Sequence, residues 1–312
     1  MNVLSLFDGM SCGQIALNNL NIKIDNYYAS EIDKHSIRVT QDRFPKTIQL
    51  GDVKNIDLKS LPKIDLLIGG SPCTNLSMAR NSSTKLGSKE GLLVETLDDY
   101  MEAIENGETF DNKQSQLFWE YLRVLKIVKP KWFLLENVRM IEKWRNKISE
   151  YLKCKPLEIN SRLFTAQNRP RLYWTNIPVD MDIQDKNLKF GDIRDDKADW
   201  VEKDDNYIKL WSDDQMMKYR NKIFVRKDYY KVFKNDDKVN CLLAQLGTNR
   251  HKCVYLKDPN YFRYLTPLEW ERLQGVPDNY TLVENVSKNQ RYKMLGNGWT
   301  VPVIEHIFQN LK

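Results

Sequence analysis

The sequence predicts an α/β fold: a doubly wound, mostly parallel sheet joined to a small second domain. Three observations carry that expectation. From Asn2 to about Ile177, short β-rich runs alternate with segments of helical spacing. The apolar run Ile64-Asp65-Leu66-Leu67-Ile68 leads into Gly69-Gly70-Ser71-Pro72-Cys73, as a buried strand does when it ends in a tight turn. Between about Asp180 and Phe262 this alternation gives way to crowded charges and aromatics.

Taken in order, Val3-Leu4-Ser5-Leu6-Phe7 reads as the first strand, Gly13 to Leu20 as a helix and Asn26 to Ser30 as a second strand. A third short strand precedes Gly51-Asp52-Val53. Ile64 to Ile68 and Trp132 to Leu135 are further strands. Leu117, Tyr121, Leu122, Leu125 and Val128 have the spacing of one helical face, and Pro130 closes that helix. Thr266-Pro267-Leu268-Glu269 opens another helix with a capping pattern, and Val301 to Leu311 is an apolar terminal helix. Residues 81–113 are polar with acidic patches and read as an insertion or mobile loop. The expected division is a catalytic domain over 1–179, completed by 263–312, with a separate domain over 180–262.

Composition bounds the function. The chain has 312 residues, 41% of them hydrophobic, which suffices for one large core. The net charge of +6 permits a nucleic-acid partner without requiring one. The start, Met1-Asn2-Val3-Leu4-Ser5-Leu6-Phe7-Asp8, lacks the basic region of a signal peptide, and no apolar run is long enough to span a bilayer. Five scattered cysteines without a Cys-x-x-Cys pair, and only three histidines, argue against disulfides or structural zinc. No metal site is expected, and a cytoplasmic setting fits.

The chemistry concentrates at expected strand ends. Phe7-Asp8-Gly9-Met10-Ser11-Cys12-Gly13 forms the first strand-to-helix turn. Glu31 ends the second strand, where an acid can accept hydrogen bonds from ribose hydroxyls, and Asp52 could hold an adenine amino group. There is no phosphate-cradling Gly-Lys-Ser/Thr loop. That set favours an adenosine cofactor without a pyrophosphate, such as S-adenosylmethionine, over a dinucleotide. Cys73 is a candidate nucleophile, although a lone cysteine is more often buried and inert. Glu136 emerges from its strand as an acid able to share a proton with a ring nitrogen, or simply as a helix N-terminal carboxylate. Gln167-Asn168-Arg169-Pro170-Arg171 sets two arginines on one face of an extended segment, suited to a carbonyl, a carboxylate or a phosphate.

Phe-x-Gly, Glu31, Asp52, Pro72-Cys73, Glu136-Asn137-Val138, Gln-x-Arg-x-Arg and Gly296-Asn297-Gly298 occur in the order and spacing of the cytosine-5 DNA methyltransferases. The chain resembles that family over nearly its whole length. Gly69-Gly70-Ser71-Pro72-Cys73-x-x-Leu76-Ser77 and Trp299-Thr300-Val301-Pro302 look closest to the de novo eukaryotic-type branch and its bacterial and phage relatives.

The resemblance implies a class I, Rossmann-like S-adenosylmethionine-dependent methyltransferase with a target-recognition domain over 180–262. Cys73 would attack C6 of a flipped-out cytosine, with Glu136 at N3 and the exocyclic amine and Arg171 at O2. Arg169 would support the catalytic loop, and Asn137 would brace the Pro72-Cys73 turn. Phe7, Asp8, Gly9, Met10, Ser11, Cys12, Gly13, Glu31, Ile32, Asp52, Val53, Gly70 and Leu117 would form the cofactor pocket. Asn297, Gly298 and Trp299 would close it. Gln245, Thr248, Asn249 and Arg250 suit base edges, and the basic run Arg220 to Lys234 suits phosphates. Double-stranded DNA is the expected partner, with a cognate restriction endonuclease as a second. A tRNA cytosine-5 methyltransferase and a silent DNA-binding scaffold are the alternatives.

Overall fold

The computed structural model describes residues 1–71, 96–108, 116–198, 201–202, 231–233, 235–244, 253–258 and 261–311. Pro72, Cys73, Gln245, Thr248, Asn249, Arg250 and most of the 220–234 run lie outside the described residues. By their contacts, the described residues fall into two units.

The first unit comprises 1–159, 170–181 and 304–312. Its strands are β1 (Asn2–Leu6), β2 (Asn26–Ser30), β3 (Ile48–Gln49), β4 (Leu66–Gly70), β5 (Trp132–Val138), β6 (Leu157–Asn160) and β8 (Pro170–Thr175). They form one seven-stranded sheet in the order β3-β2-β1-β4-β5-β8-β6. The pairs β2–β3, β1–β2, β1–β4 and β4–β5 are parallel, while β5–β8 is antiparallel. The sheet winds outward in both directions from β1 and β4. The crevice at their carboxyl ends is therefore the place where such a sheet receives a ligand.

The central strands read as nearly unbroken apolar runs because both their faces are covered. Val3, Leu4, Leu6, Leu66, Leu67 and Ile68 are each fully buried. Helix α1 (Cys12–Asn19) follows β1, and α2 (Lys34–Arg43) follows β2. The α2 N-terminus is capped by Asp33, whose side chain accepts from the His35 and Ser36 amides. Helix α4 (Gln116–Val128) buries Phe118, Trp119, Tyr121, Leu122 and Val124 in the core, a wider surface than the single expected face. Gly69 lets β4 pass close to α4: a Cβ there would stand 3.0 Å from the Tyr121 ring, tighter than ordinary contact.

The stretch 81–113 is not wholly loop. Helix α3 (Leu97–Glu105) lies within it, started by a reciprocal Thr96–Asp99 capping box. It buries Leu97, Tyr100 and Ala103 at a spacing of three, and Tyr100 stacks on Trp119. The acids Asp98 and Asp99, which make the segment look solvated, favour the helix N-terminus instead. Helix α5 (Glu142–Leu152) completes this face through Trp144, Ile148 and Leu152.

The second unit comprises 160–169 and 182–303. It contains β7 (Gln167–Asn168) paired with β11 (Val239–Asn240). A four-stranded sheet has the order β10-β12-β13-β9, from β9 (Val201–Glu202), β10 (Lys231–Phe233), β12 (Cys253–Asp258) and β13 (Tyr261–Tyr264). Its helices are α6 (Phe190–Ile193), α7 (Pro267–Gln274) and α8 (Lys288–Asn297), with α9 (Val301–Phe308) running on into the first unit. Thr266 caps α7 with the expected box, Glu269 returning the bond.

This division differs from the expected one at 160–169 and over 263–303, both of which cluster with 182–262. Helix α7 is bonded to residues 193–195: the Asp195 amide donates to Glu269 Oε1 at 2.9 Å, and Arg272 Nη1 donates to Ile193 O at 3.1 Å and Arg194 O at 3.0 Å. A buried polar network then holds the rest of 263–303 and the 160–169 segment to α7. Glu271, fully buried on α7, accepts from the Asn279 and Thr281 amides and pairs with Arg291 of α8 at 2.9 Å. Gln274 and Gln167 then tie α7 to β7.

Candidate active site

Strand β1 stops at Leu6, one residue earlier than its apolar run suggests, because Phe7 turns into the left-handed region at φ 57°. Gly9 and Ser11 follow at φ 60° each. Two of these three residues carry side chains, so the turn is strained, as turns at binding sites commonly are. Three bonds hold it: the Asp8 amide donates to Ser30 O at 3.1 Å, the Gly9 amide to Glu31 Oε2 at 2.8 Å, and Thr40 Oγ1 to Gly9 O at 3.4 Å.

Glu31 follows β2 directly. Its Oε1 accepts from the amides of Ile32 and Asp33, each at 2.8 Å. A carboxylate accepts about four hydrogen bonds, so Oε2 keeps capacity for a hydroxyl donor. Beside it Ile32 is 74% exposed, an apolar surface of the kind a flat aromatic ring covers. Asp52 lies at the start of the 3₁₀ turn Val53–Asn55, with Oδ1 accepting from the Lys54 amide.

Asp8 behaves differently from both. Ser11 Oγ and Tyr27 Oη donate to it, the latter at 2.8 Å. Burial nevertheless pushes its pKa up to about 6; the bonds from Ser11, Ser5 and Tyr27 oppose the rise, and the nearby Glu31 charge adds to it. The hydroxyl of Tyr27 is itself held well above the usual tyrosine range by burial and the Asp8 charge.

The other expected cofactor residues divide by exposure. Met10, Ser11, Cys12, Gly13 and Val53 are buried and can shape the floor of a pocket. Phe7, Gly9, Gly70 and Leu117 are half-buried. In the second unit, Asn297 is exposed, and Gly298 and Trp299 are half-buried. The spare acceptor capacity of Glu31, the exposed Ile32 side chain and the Asp52 carboxylate have chemistry compatible with an adenosine-containing cofactor.

Glu136 is not beyond the end of its strand but within it, opposite Gly70 on β4 and Tyr173 on β8. Arg171 Nε meets Glu136 Oε1 at 3.0 Å, and the two side chains are 12% and 13% exposed. Arg171 Nη1 also donates to Pro170 O at 2.9 Å. Asn137, almost fully buried, reaches the segment after β4: its Nδ2 lies 3.4 Å from Ser71 O and 3.3 Å from Ser71 Oγ. Its Oδ1 accepts from the Val138 amide at 2.8 Å, which fixes the amide plane.

The arginine pair departs from expectation. Arg169 and Arg171 do not present their guanidinium groups together, because β7 ends at Asn168 and β8 begins at Pro170. Without a continuous pleat the two-residue spacing loses its meaning. Arg171 goes to Glu136, whereas Arg169, only 3% exposed, donates to the carbonyls of Leu242, Gly296 and Gly298.

Ser71, Tyr27 and Gln167 also belong to these arrangements. The alternation in β2 could have flagged Tyr27 as an inward tyrosine needing a partner. Gln167 stood in the Gln-x-Arg-x-Arg motif without a role. Among the described residues, no group of three or more His, Cys, Asp or Glu could hold a metal, and no helix is long and apolar enough to cross a membrane.

A doubly wound, mostly parallel sheet with an acid after β2 and a carboxylate–guanidinium pair on β5 and β8 is the architecture of a Rossmann-like methyltransferase. The chain belongs to the C-5 cytosine-specific DNA methylase family, whose pattern matches residues 1–312. It is 29% identical over 335 residues to the type II methyltransferase M1.ScrFI of Lactococcus lactis subsp. cremoris, covering 99% of this chain and 77% of that one. It is 26% identical to the type II methyltransferase M.Bsp6I of a Bacillus species, covering 100% of this chain and 98% of that one. The Dnmt2 methyltransferase of S. pombe has the same fold, with TM-score 0.69 at 18% identity over 99% of this chain and 97% of that one. The protein is an enzyme that transfers a methyl group from S-adenosylmethionine to C5 of cytosine in DNA.

Proposed function

We propose that Cys73 is the nucleophile, and that Glu136 and Arg171 hold the target ring. The observation that carries this reading is the Glu136–Arg171 pair beside Asn137, whose amide grips Ser71 two residues before Cys73. The neighbouring positions 70 and 136 share one register across β4 and β5. Such an arrangement supports a reaction centre at the carboxyl end of these strands.

S-adenosylmethionine, when bound, supplies the methyl as an electrophile attached to a sulfonium. Phe7, Asp8, Glu31, Ile32 and Asp52 would hold it on the first unit, and Asn297, Gly298 and Trp299 belong to the same set. Cys73 as thiolate forms a bond to C6 of cytosine, and the ring's electron density moves to C5. Glu136 hydrogen-bonds N3 and the exocyclic amine while Arg171 contacts O2, so charge is stabilised as it develops. After C5 is methylated, loss of its proton expels the Cys73 sulfur and restores the aromatic ring. The target carbon is out of reach inside a duplex, so the base must flip out at a cost of a few kcal/mol.

Residues 180–262 are the target-recognition region on this reading, with Gln245, Thr248, Asn249 and Arg250 at base edges. The type II names of the relatives favour double-stranded DNA as substrate, a cognate endonuclease as partner and a cytoplasmic setting. The test is a denaturing gel with duplex DNA carrying 5-fluorocytosine, in parallel with a methylation assay on duplex DNA and tRNA. The expected result is a covalent adduct, absent in Cys73→Ser, and methylation of duplex DNA. An adduct that persists in Cys73→Ser rules out the assigned nucleophile. A clear preference for tRNA overturns the duplex substrate.

A further inference from the structure

We infer that Arg169 is a positioning residue that locks the Gly296–Gly298 turn to the chain at Leu242–Ala244, so that cofactor and DNA contacts are set together. This rests on the proposed assignment of Asn297, Gly298 and Trp299 to the cofactor and of residues 245–250 to DNA.

The guanidinium works as a two-sided bracket. Nη1 donates to Leu242 O at 3.0 Å and lies 3.4 Å from Cys241 Sγ. Nη2 donates to Gly296 O at 3.1 Å and Gly298 O at 2.9 Å. A planar group with its donors in a fixed fork holds two segments at one spacing; a lysine ammonium cannot. The carbonyls it joins are 73 or more residues from Arg169 in sequence, so no local structure sets this geometry.

Gly296 adds contact of main chain with main chain. A Cβ there would lie 2.6 Å from Ala244 N, 2.7 Å from Leu243 C and 2.9 Å from Ala244 Cα. All three atoms are backbone, so neither side can yield cheaply, and only glycine permits the approach. The turn is therefore seated directly on the Leu243–Ala244 peptide.

A second route runs parallel to the first. Gln167, fully buried, accepts from the Leu242 amide at 3.0 Å and donates to Gln274 Oε1 at 3.2 Å. Gln274 Nε2 donates to Leu295 O at 2.7 Å and Gly298 O at 3.2 Å. Both polar atoms of the Leu242 backbone are thus gripped by the 167–169 segment, and both grips continue to the Gly296–Gly298 turn. In sequence, the residues offered for base edges begin at Gln245, one position after Ala244. A displacement of the turn would bear on Leu242–Ala244 through this buried network and through the direct Gly296 contact.

The test uses the full chain with S-adenosylhomocysteine and a methylatable duplex. In the wild type, S-adenosylhomocysteine should tighten DNA binding at least about 5-fold, the lower end of ordinary coupling between sites. In Arg169→Lys that factor should fall toward one, whereas an Asn297→Ala change should weaken cofactor binding and leave the coupling. Hydrogen exchange on the wild type is the second measurement, independent of how well the variant folds. Binding of S-adenosylhomocysteine without DNA should slow exchange of a peptide covering 239–244. An unchanged coupling factor in folded Arg169→Lys, or unaltered exchange of 239–244 when the cofactor product is bound, overturns the inference. Failure of S-adenosylhomocysteine to bind at all overturns the cofactor assignment first, and the inference with it.

Discussion

Glu31 and Glu136 both stand at the carboxyl end of the sheet, yet they are held in opposite ways. Glu31 is fixed by three main-chain amides, those of Gly9, Ile32 and Asp33. Glu136 is fixed by a side chain, the guanidinium of Arg171 on the antiparallel strand β8. Amides cannot leave once the strand and the turn have formed, so Glu31 is a preformed acceptor whose orientation costs nothing at binding. A guanidinium is a full charge with several donors, and it can be shared with an incoming ring without leaving its carboxylate. The difference teaches that the acid proposed to bind the cofactor is held by backbone amides, while the acid proposed to hold the reacting ring depends on two strands meeting.

The largest effect should come from Glu136, the acid proposed to hold the reacting ring. Glu136→Gln keeps the shape but removes the carboxyl, and kcat should fall by about 10²–10⁴-fold, the range for a lost acid–base group. Binding of S-adenosylhomocysteine, read by calorimetry, should stay unchanged; a parallel loss would mean that Glu136 serves the cofactor. Arg171→Lys keeps the charge and loses the fork, which should lower kcat/KM for DNA by about 10–100-fold, as the loss of one charged hydrogen bond does.

Glu31→Gln turns the comparison round. One of its amide bonds is lost or inverted, so the protein should lose about 1–3 kcal/mol of stability in urea unfolding. KM for S-adenosylmethionine should rise while kcat is kept. A drop in kcat at saturating cofactor would erase the distinction between the two acids.

Asp8 gives the smallest effect and a pH signature. Its folded pKa, about 6, lies above the usual aspartate value, so between about pH 4 and 6 the folded state holds a proton that the unfolded state has released. Stability therefore falls as pH rises through that window and stays lowered above it. Asp8→Asn cannot ionise and still accepts hydrogen bonds from Ser11 and Tyr27. Its melting temperature should exceed the wild type's by a few degrees at pH 7.5, with the gain shrinking toward pH 5. A gain independent of pH would show that desolvation of the Asp8 charge is not the cause.

Much of the first unit was legible because its signals are local. Strands β1, β2 and β4 announce themselves as short apolar runs, and Thr266 with Glu269 announces a helix start three residues apart. Glu31 was legible as an acid directly after its strand, whereas Glu136 was expected past the end of a strand that it lies within. Helix α3 was not, because its core-facing residues Leu97, Tyr100 and Ala103 are diluted by Asp98, Asp99, Glu102 and Glu105. The Arg169–Arg171 face was misread for a related reason. Period-two alternation holds only inside one strand, and a break between β7 and β8 is invisible in sequence.

By itself, the sequence determined the alternating α/β order, the residue types at the strand ends and the family motifs, all of which depend on neighbours a few positions apart. Only the tertiary structure decided that Glu136 faces Arg171, that burial raises the Asp8 pKa against the opposing Tyr27 hydrogen bond, and that Arg169 brackets Leu242 with Gly296 and Gly298. Each of those outcomes depends on atoms brought together across 19 to 129 residues. Distance in space sets the strength of charge, hydrogen bond and desolvation alike, and distance along the chain does not report it.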